Sequence, residues 1–138
     1  MSGKDKKRNG GNLTLNRRAT HDYFVLERLE TGIELVGTEV KVVRNGEAGL
    51  TGSYAQVKNG QLFLNQVMIP PYAFGNRFNH DSLRTRRLLV HKREIRKLQA
   101  MSEQKGLSLI ALRLYLLPKG LAKVVLGICR GKQQHDKR

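Results

Sequence analysis

Two stretches near the end of the chain repeat with a period of two residues, and this pattern restricts the fold more than any other feature of the sequence. The first has apolar residues at Ile110, Leu112, Leu114 and Leu116, and the second, after Pro118-Lys119-Gly120, has them at Ala122, Val124, Leu126 and Ile128. A period of two is typical of a β-strand with one buried face. The two stretches therefore predict a β-hairpin whose apolar residues all point into one core.

Two more hairpins are predicted upstream. Asn59-Gly60 separates β-prone residues 53–58 from residues 61–69, and Asn-Gly is a strong hairpin signal because both residues tolerate positive φ. Glu30-Thr31-Gly32 reads as a turn between a strand at residues 23–29 and the alternating residues 33–35. The chain is thus expected to contain about six antiparallel strands.

Short helices are predicted at two places. Thr38 is a suitable N-cap for a helix that carries Val40 and Val43 and ends at Gly46. Residues 91–104 have apolar side chains at three-residue spacing and end before Gly106, which indicates an amphipathic helix. Because a long single sheet usually closes to remove its edges, we predict a mainly β fold: a small closed six-stranded antiparallel barrel with two to three helices.

The chain of 138 residues has a formal net charge of +15 and a pI near 10.6. Such a charge favours a polyanionic partner, and nucleic acid is the leading candidate. A membrane surface would require a long amphipathic helix with a bulky apolar face, which the sequence does not contain. The N-terminal residues lack the apolar core of a signal peptide, so we expect a cytoplasmic protein.

The domain organisation predicted from composition is simple. Residues 1–13 form a disordered basic arm, residues 14–130 form one folded domain, and residues 131–138 begin a basic tail. The single cysteine, Cys129, lies in an apolar run and is expected to be buried. With one cysteine and four scattered histidines, no zinc site is predicted, and we expect neither a metal nor a cofactor.

The densest basic segment spans residues 77–97. Its basic residues are Arg77, Arg84, Arg86, Arg87, Lys92, Arg93, Arg96 and Lys97. An extended backbone would direct Arg84 and Arg86 to one face, where a surface arginine pair could follow a phosphate backbone. The alternative is an ordinary solvated face.

Catalysis is not predicted. The pairs His21/Asp22, His80/Asp81 and His135/Asp136 are the candidates for acid-base chemistry, as in a small basic ribonuclease. Sequence neighbours point apart on a strand, so none of these pairs is expected to form a dyad. Among the aromatic residues, Phe74 and Phe78 are expected to be partly exposed, and the others mostly buried.

Several motifs resemble the small protein B family, in that family's order and spacing. They are Asn16-Arg17-Arg18-Ala19, His21-Asp22-Tyr23-Phe24, Glu30-Thr31-Gly32, Gly37-Thr38-Glu39-Val40-Lys41, Gly75-Asn76-Arg77-Phe78-Asn79-His80-Asp81, Arg84-Thr85-Arg86-Arg87-Leu88-Leu89 and Gly131-Lys132-Gln133-Gln134-His135-Asp136-Lys137-Arg138. The resemblance implies an oligonucleotide-binding (OB) fold. It also implies a non-enzymatic partner of transfer-messenger RNA (tmRNA), which binds the tRNA-like domain near its D-loop and acts with it on stalled ribosomes.

The resemblance also implies particular site residues. The RNA-binding positions fall on Asn16, with Arg17 beside it, and on Glu30, Leu89 and Lys123; to these the charge pattern adds Arg84 and Arg86. The ribosomal small subunit and its rRNA are expected as a second partner, contacted near the decoding centre by His135, Asp136, Lys137 and Arg138. We expect the protein to be a monomer.

Two features depart from the family pattern. The family continues after this motif with a basic tail, whereas this chain stops at Arg138, so the tail is expected to be truncated or naturally short. Where the family often has Gly-Lys-Ala-Asn, this chain has Gly46-Glu47-Ala48-Gly49, which replaces a positive charge with a negative one. The open alternative is a module that binds structured RNA broadly or assists ribosome assembly.

Overall fold

A computed structural model describes residues 13–74 and 79–132 of the chain. The strands are β1 (Leu13–Leu15), β2 (Tyr23–Ile33), β3 (Tyr54–Lys58), β4 (Gln61–Asn65), β5 (Arg86–Leu89), β6 (Leu107–Leu116) and β7 (Ala122–Gly131). The helices are α1 (Arg17–Asp22), α2 (Gly37–Arg44) and α3 (Lys92–Ser102). The prediction of a mainly β chain with short helices is confirmed, whereas the strand count in the described residues is seven rather than six.

All strand pairs are antiparallel, and six of the strands are hydrogen-bonded in a ring. The order is β6-β3-β4-β5-β2-β7, and β7 pairs back with β6. Among the described residues, the shortest strand pairing in the ring is between β3 and β6, where Tyr54 is paired with Ile110. The seventh strand, β1, attaches to β6 through three residue pairs. A strand of three residues is too short to show a period of two, which explains why it was not predicted.

The predicted hairpin at Glu30-Thr31-Gly32 is wrong, because Tyr23–Ile33 is one continuous strand. The Thr31 hydroxyl donates a hydrogen bond to the backbone oxygen of Val124 at 3.1 Å. Gly32 is paired with Leu89 on one side and with Lys123 on the other. These partners are distant in sequence, and they hold residues with turn propensity in the middle of a sheet.

The hairpin at Asn59-Gly60 is confirmed, and both turn residues have positive φ, 54° and 75°. Strand β4 ends at Asn65, earlier than predicted, since Gln66 also has a positive φ. Further on, Met68 forms an isolated bridge with Gly49.

The hairpin of β6 and β7 is confirmed, but its side-chain pattern is only partly as predicted. The register shifts between Ala111 and Arg113, so Leu112 is an extra residue, a β-bulge. Leu114 and Leu116 point into the main core, whereas Ile110 belongs to a second cluster, and Leu112 packs against that cluster. One inserted residue reverses which face every preceding side chain occupies.

The main core lies inside the ring. Its buried apolar residues include Ile33, Leu62, Leu64, Leu88, Leu114, Leu116, Val124, Leu126 and Ile128, with Val42 and Val43 from α2 and Leu98 from α3. A smaller cluster lies on the outer side, where Ala19 of α1 covers Ile110 and Cys129. The main core therefore fills the ring, while α1 covers part of its outside.

The predicted helices exist with changed ends. The N-cap of helix α2 is Val36 and not the predicted Thr38, so the helix begins at Gly37. The Glu39 side chain accepts a hydrogen bond from the Val36 amide at 2.9 Å. Its end at Gly46, with φ 76°, is as expected. Helix α3 spans Lys92–Ser102, a little shorter than residues 91–104. Within the described residues, none of the helices is long and apolar enough to cross a membrane.

Candidate nucleic-acid interface

The register of the sheet places two of the predicted RNA-binding residues beside the same glycine. Gly32 on β2 is paired with Leu89 on β5 and with Lys123 on β7. Directly paired residues point to the same side of a sheet, here the outer face, where Leu89 is 43% exposed. A Cβ atom on Gly32 would lie 3.4 Å from the Leu89 Cβ. Leu89 and Lys123 thus flank a position that has no side chain.

Glu30 lies on the same outer face, two residues before Gly32. It is exposed and paired with Val125 on β7, which is paired in turn with Arg113 on β6. The Glu30 carboxylate forms no ion pair with any residue that the structure describes. Glu30, Leu89 and Lys123, which are far apart in sequence, therefore share one surface, named here the outer sheet face.

Asn16 is buried and fully used within the fold. Its side-chain oxygen accepts a hydrogen bond from the Ala19 amide at 3.2 Å, which caps α1. Its side-chain nitrogen donates to the backbone oxygens of Leu50 at 3.2 Å and Ala111 at 2.8 Å. These bonds make Asn16 a residue that positions α1, while Arg17, the first residue of the helix, is exposed beside the outer sheet face.

Arg28 and Arg113 belong to the same face, although neither was predicted from the sequence. Both are exposed, and with Arg17 they line a shallow depression beside Val125. The alternation of Arg28 with Glu30 on one strand was a signal that could have placed Arg28 there. The position of Arg113 depends on the β-bulge at Leu112, which no sequence pattern indicated.

The predicted surface arginine pair is wrong, because Arg86 is completely buried (0% exposed). Arg84 and Arg86 do share one face, but that face is turned toward the buried Glu39. Nη2 of Arg84 and Nη2 of Arg86 each lie 2.7 Å from a Glu39 carboxylate oxygen. Arg86 also donates to the backbone oxygens of Val67 at 2.9 Å and Ser82 at 3.2 Å. These arginines join α2 to the segment before β5 and do not form a phosphate-binding track.

The Glu39 carboxylate stays charged in spite of its burial. Burial alone would raise its pKa, but hydrogen bonds from Arg84, from the Val36 amide and from Arg86 outweigh that effect and hold the pKa below its usual value. The hydrogen bond to Glu39 likewise raises the pKa of Arg84. The cluster is therefore a hydrogen-bonded structural unit in which one carboxylate is shared by two arginines.

The remainder of the basic segment divides into two groups. Lys97 donates a hydrogen bond to Glu27, and Nη1 of Arg87 lies 3.8 Å from a Glu34 carboxylate oxygen. Lys92, Arg93 and Arg96 are exposed along α3. Because Arg84, Arg86, Arg87 and Lys97 are all paired with carboxylates, residues 79–97 do not form one continuous basic surface.

The histidine pairs differ from each other. His80 Nε2 lies 2.8 Å from the Ile69 carbonyl oxygen, and its Nδ1 lies 2.7 Å from the Thr38 hydroxyl. A carbonyl can only accept, so Nε2 donates and, in the neutral ring, Nδ1 accepts from Thr38. His80 thus holds its loop against Thr38 of α2 and against Ile69.

The prediction that neighbouring side chains point apart, so that none of these pairs forms a dyad, is wrong for His21 and Asp22. His21 Nδ1 lies 3.2 Å from an Asp22 carboxylate oxygen at the end of α1. The prediction assumed a strand, on which neighbouring side chains diverge, whereas this pair ends a helix. The hydrogen bond from His21, with the nearby charge of Arg18, lowers the pKa of Asp22.

Cys129 is buried, as expected, and burial raises the pKa of its thiol to about 11. No group of three or more His, Cys, Asp or Glu side chains suited to a metal ion occurs among residues 13–74 and 79–132. Phe74 is 79% exposed, as predicted, but the expectation that most other aromatic side chains are buried is wrong, since Phe24 and Tyr54 are exposed and the other described ones are only partly buried. Arg77, Phe78 and the tail residues His135, Asp136, Lys137 and Arg138 lie outside the described residues.

Comparisons with known proteins agree on one family. The family described as SmpB protein matches residues 13–138. The SsrA-binding proteins of Staphylococcus aureus strains JH1 and N315 are each 53% identical over 133 residues, which cover 96% of this chain and 86% of those proteins. A solved structure described as "tmRNA-SmpB: a journey to the center of the bacterial ribosome" has a TM-score of 0.78 and 48% identity, and the match covers 92% of this chain and 89% of that chain.

Proposed function

This chain belongs to the SmpB protein family, and we propose that it is an RNA-binding adaptor that binds the tRNA-like domain of tmRNA and brings it to stalled ribosomes. As a member of this family it acts as an adaptor and not as an enzyme. Its partners are tmRNA and the bacterial ribosome, whose small subunit it contacts. A role on the ribosome places the protein in the cytoplasm.

The observation that carries this proposal is the outer sheet face. Glu30, Leu89 and Lys123 come from three neighbouring strands and lie on one face with no ion pair among the described residues. A carboxylate repels phosphate, so Glu30 accepts hydrogen bonds from base or ribose donors. Lys123 faces phosphate, and Leu89 offers an apolar contact. Asn16 contributes to RNA binding indirectly, because it positions α1 and with it Arg17.

We extend the proposal to the fold and the tail. The hydrogen-bonded ring of six strands is, in this proposal, a closed barrel of the OB type with one strand more than the usual five. An experimental structure in which β3 and β6 do not pair would contradict that assignment. The tail residues His135 to Arg138 contact the decoding centre, so their replacement by alanine leaves tmRNA binding intact and abolishes tagging of the nascent chain. We propose that the protein acts as a monomer.

A gel-shift titration tests the function directly. The protein is titrated into labelled tmRNA and, in parallel, into an ordinary elongator tRNA of similar length to the tRNA-like domain. The proposal predicts clearly tighter binding to tmRNA and intact RNA after incubation. Near-equal affinities would instead indicate a general binder of structured RNA, and degradation abolished by His→Ala substitution would indicate a ribonuclease.

A further inference from the structure

Three arginines from three different elements surround one depression on the outer sheet face. Arg17 comes from α1, Arg28 from β2 and Arg113 from β6, and all three are exposed. The depression is also lined by Leu15, Asn16, Thr20, Leu112 and Val125. Leu112 and Val125 are partly buried apolar side chains, so the depression has a basic rim and an apolar floor. We name it the arginine depression.

Irregularities of the sheet form this depression. The bulge at Leu112 inserts one residue into β6, and a register shift between Val25 and Glu27 marks a second bulge in β2, just before Arg28. Gly127 lies between these strands, paired with Arg28, and a Cβ there would come within 2.7 Å of a Leu112 methyl carbon. The missing side chain lets Leu112 lie in the floor. Bulges are over-represented beside functional sites because they redirect side chains.

The three guanidinium groups have no carboxylate partner among the described residues. Other cations of the protein do have carboxylate partners: Arg18 is paired with Asp22, Arg87 with Glu34 and Lys97 with Glu27. Like charges gathered around one depression repel each other, and a polyanion relieves that repulsion. The planar guanidinium forms paired hydrogen bonds with phosphate oxygens more readily than an ammonium group does.

The apolar floor restricts what kind of RNA fits. In a regular RNA duplex the base faces are stacked, and only the backbone, the 2′-hydroxyls and the polar base edges are accessible, so a duplex would offer no apolar base face to Leu112 and Val125. A sharply turned, unpaired segment presents phosphates and the face of an unstacked base together. We propose that the arginine depression binds such a turn of RNA backbone, with phosphates held by Arg17, Arg28 and Arg113 and one base on the floor. This inference rests on the proposed RNA-binding function and adds contacts beside Glu30, Leu89 and Lys123.

The test uses Arg28→Gln and Arg113→Gln, which remove the charge and keep most of the side chain. Binding to tmRNA is measured over a series of salt concentrations. Each substitution is expected to weaken binding about tenfold and to reduce the slope of log affinity against log salt by about 0.7 to 0.9, the value of one phosphate contact. The matched control is Arg96→Gln on α3, an exposed arginine with the same change in charge, which should leave the slope unchanged.

Several results would overturn the inference. Equal losses in the Arg96 control would show a general effect of net charge. Unchanged slopes in the two variants, with Glu30→Gln still weakening binding, would reject the arginine depression and keep the proposed function. Failure of the unmodified protein to bind tmRNA would reject both.

A competition experiment tests the preferred RNA shape. An RNA hairpin with an unpaired loop and a duplex of equal length compete for the protein, and the Arg28 and Arg113 substitutions should reduce competition by the hairpin more than by the duplex. Equal reduction for both would overturn the preference for an unpaired turn. Thermal unfolding of each variant, expected to match that of the unmodified protein, confirms that the effects arise at the RNA.

Discussion

At the scale of single residues, Glu39 is a buried charged group whose two carboxylate oxygens both have hydrogen-bond donors. Its two oxygens accept hydrogen bonds from Arg84, Arg86 and the Val36 amide, and Arg86 donates further bonds to backbone oxygens. Replacing a buried ion cluster as a whole can be neutral for stability, but removing one member leaves the other charges unpaired. The cluster therefore links α2 to the segment before β5.

We predict that Glu39→Gln lowers the free energy of unfolding by about 3 to 5 kcal/mol, because it leaves Arg86 buried without a counter-charge. Urea denaturation followed by circular dichroism measures the change. The matched control is Glu27→Gln, which breaks the exposed pair with Lys97 and should have only a small effect. A loss in the Glu39 variant no larger than in the control would contradict this account.

The pH dependence of stability follows from the lowered pKa of Glu39. In the unfolded chain this carboxyl binds a proton near its ordinary value of 4.5, whereas in the folded protein it remains ionised to lower pH. Its contribution to stability is thus fully present above that value and is lost as the pH falls through the folded pKa. We expect unfolding free energies measured from pH 7 down to pH 3 to fall less steeply in Glu39→Gln. Parallel curves for the two proteins would argue against this role.

The effect of Glu30→Gln on tmRNA affinity should differ in sign between two possible roles of Glu30. If Glu30 accepts hydrogen bonds from RNA, losing a charged acceptor should weaken tmRNA binding by about tenfold. If Glu30 is only a solvated side chain, removing a negative charge near RNA should strengthen binding slightly. Gel-shift affinities of this variant and of Glu47→Gln, an exposed glutamate after α2, distinguish the two roles.

At the scale of elements, α1 depends on one side chain. Asn16 caps the helix and also donates hydrogen bonds to Leu50 and Ala111, so it holds α1 against the outside of β6. A helix of six residues has little intrinsic stability, and its position comes from such contacts and from Ala19 in the second cluster.

We expect Asn16→Ala to destabilise the fold by about 2 to 4 kcal/mol, since it removes the cap of α1 and two hydrogen bonds to backbone oxygens. Chemical denaturation measures this loss. Asn65→Ala, which removes exposed hydrogen bonds to Gln56 and Thr85, should cost much less. If Asn16→Ala weakened tmRNA binding and left stability unchanged, Asn16 would be a direct RNA contact and not a positioning residue.

The hairpin of β6 and β7 shows how one residue changes a whole element. The alternation predicted that Ile110, Leu112, Leu114 and Leu116 share a face, and the bulge at Leu112 divides them between two clusters. The same bulge places Arg113 across β7 from Glu30. A single local irregularity therefore contributes both to the second cluster and to the candidate RNA-binding surface.

At the scale of the whole molecule, the net charge of +15 acts through the cations that lack carboxylate partners. If Arg17, Arg28, Arg113 and Lys123 each contact one phosphate, log affinity should fall against log salt with a slope of about −2.8 to −3.6. Raising the salt from about 50 to 200 mM would then weaken tmRNA binding roughly 50- to 150-fold. Fluorescence anisotropy at several salt concentrations measures the slope, and a value near zero would show that phosphate contacts do not drive binding.

Local sequence determined the elements whose signals are short-range. The Asn59-Gly60 turn, the strands of the last hairpin and the apolar spacing of α3 each depend on neighbours within a few residues, and the structure contains all three. The net charge and the family motifs likewise indicated an RNA partner and the positions Glu30, Leu89 and Lys123.

Only the tertiary structure decided which side chains meet. Glu30-Thr31-Gly32 has the composition of a turn, yet hydrogen bonds from β5 and β7 keep these residues in a strand. Arg84 and Arg86 read as a surface pair, yet Glu39, more than 40 residues earlier, draws them inward. The arginine depression gathers residues from α1, β2 and β6. In each case the partner is distant in sequence, so its contribution to the free energy is not visible in any local pattern.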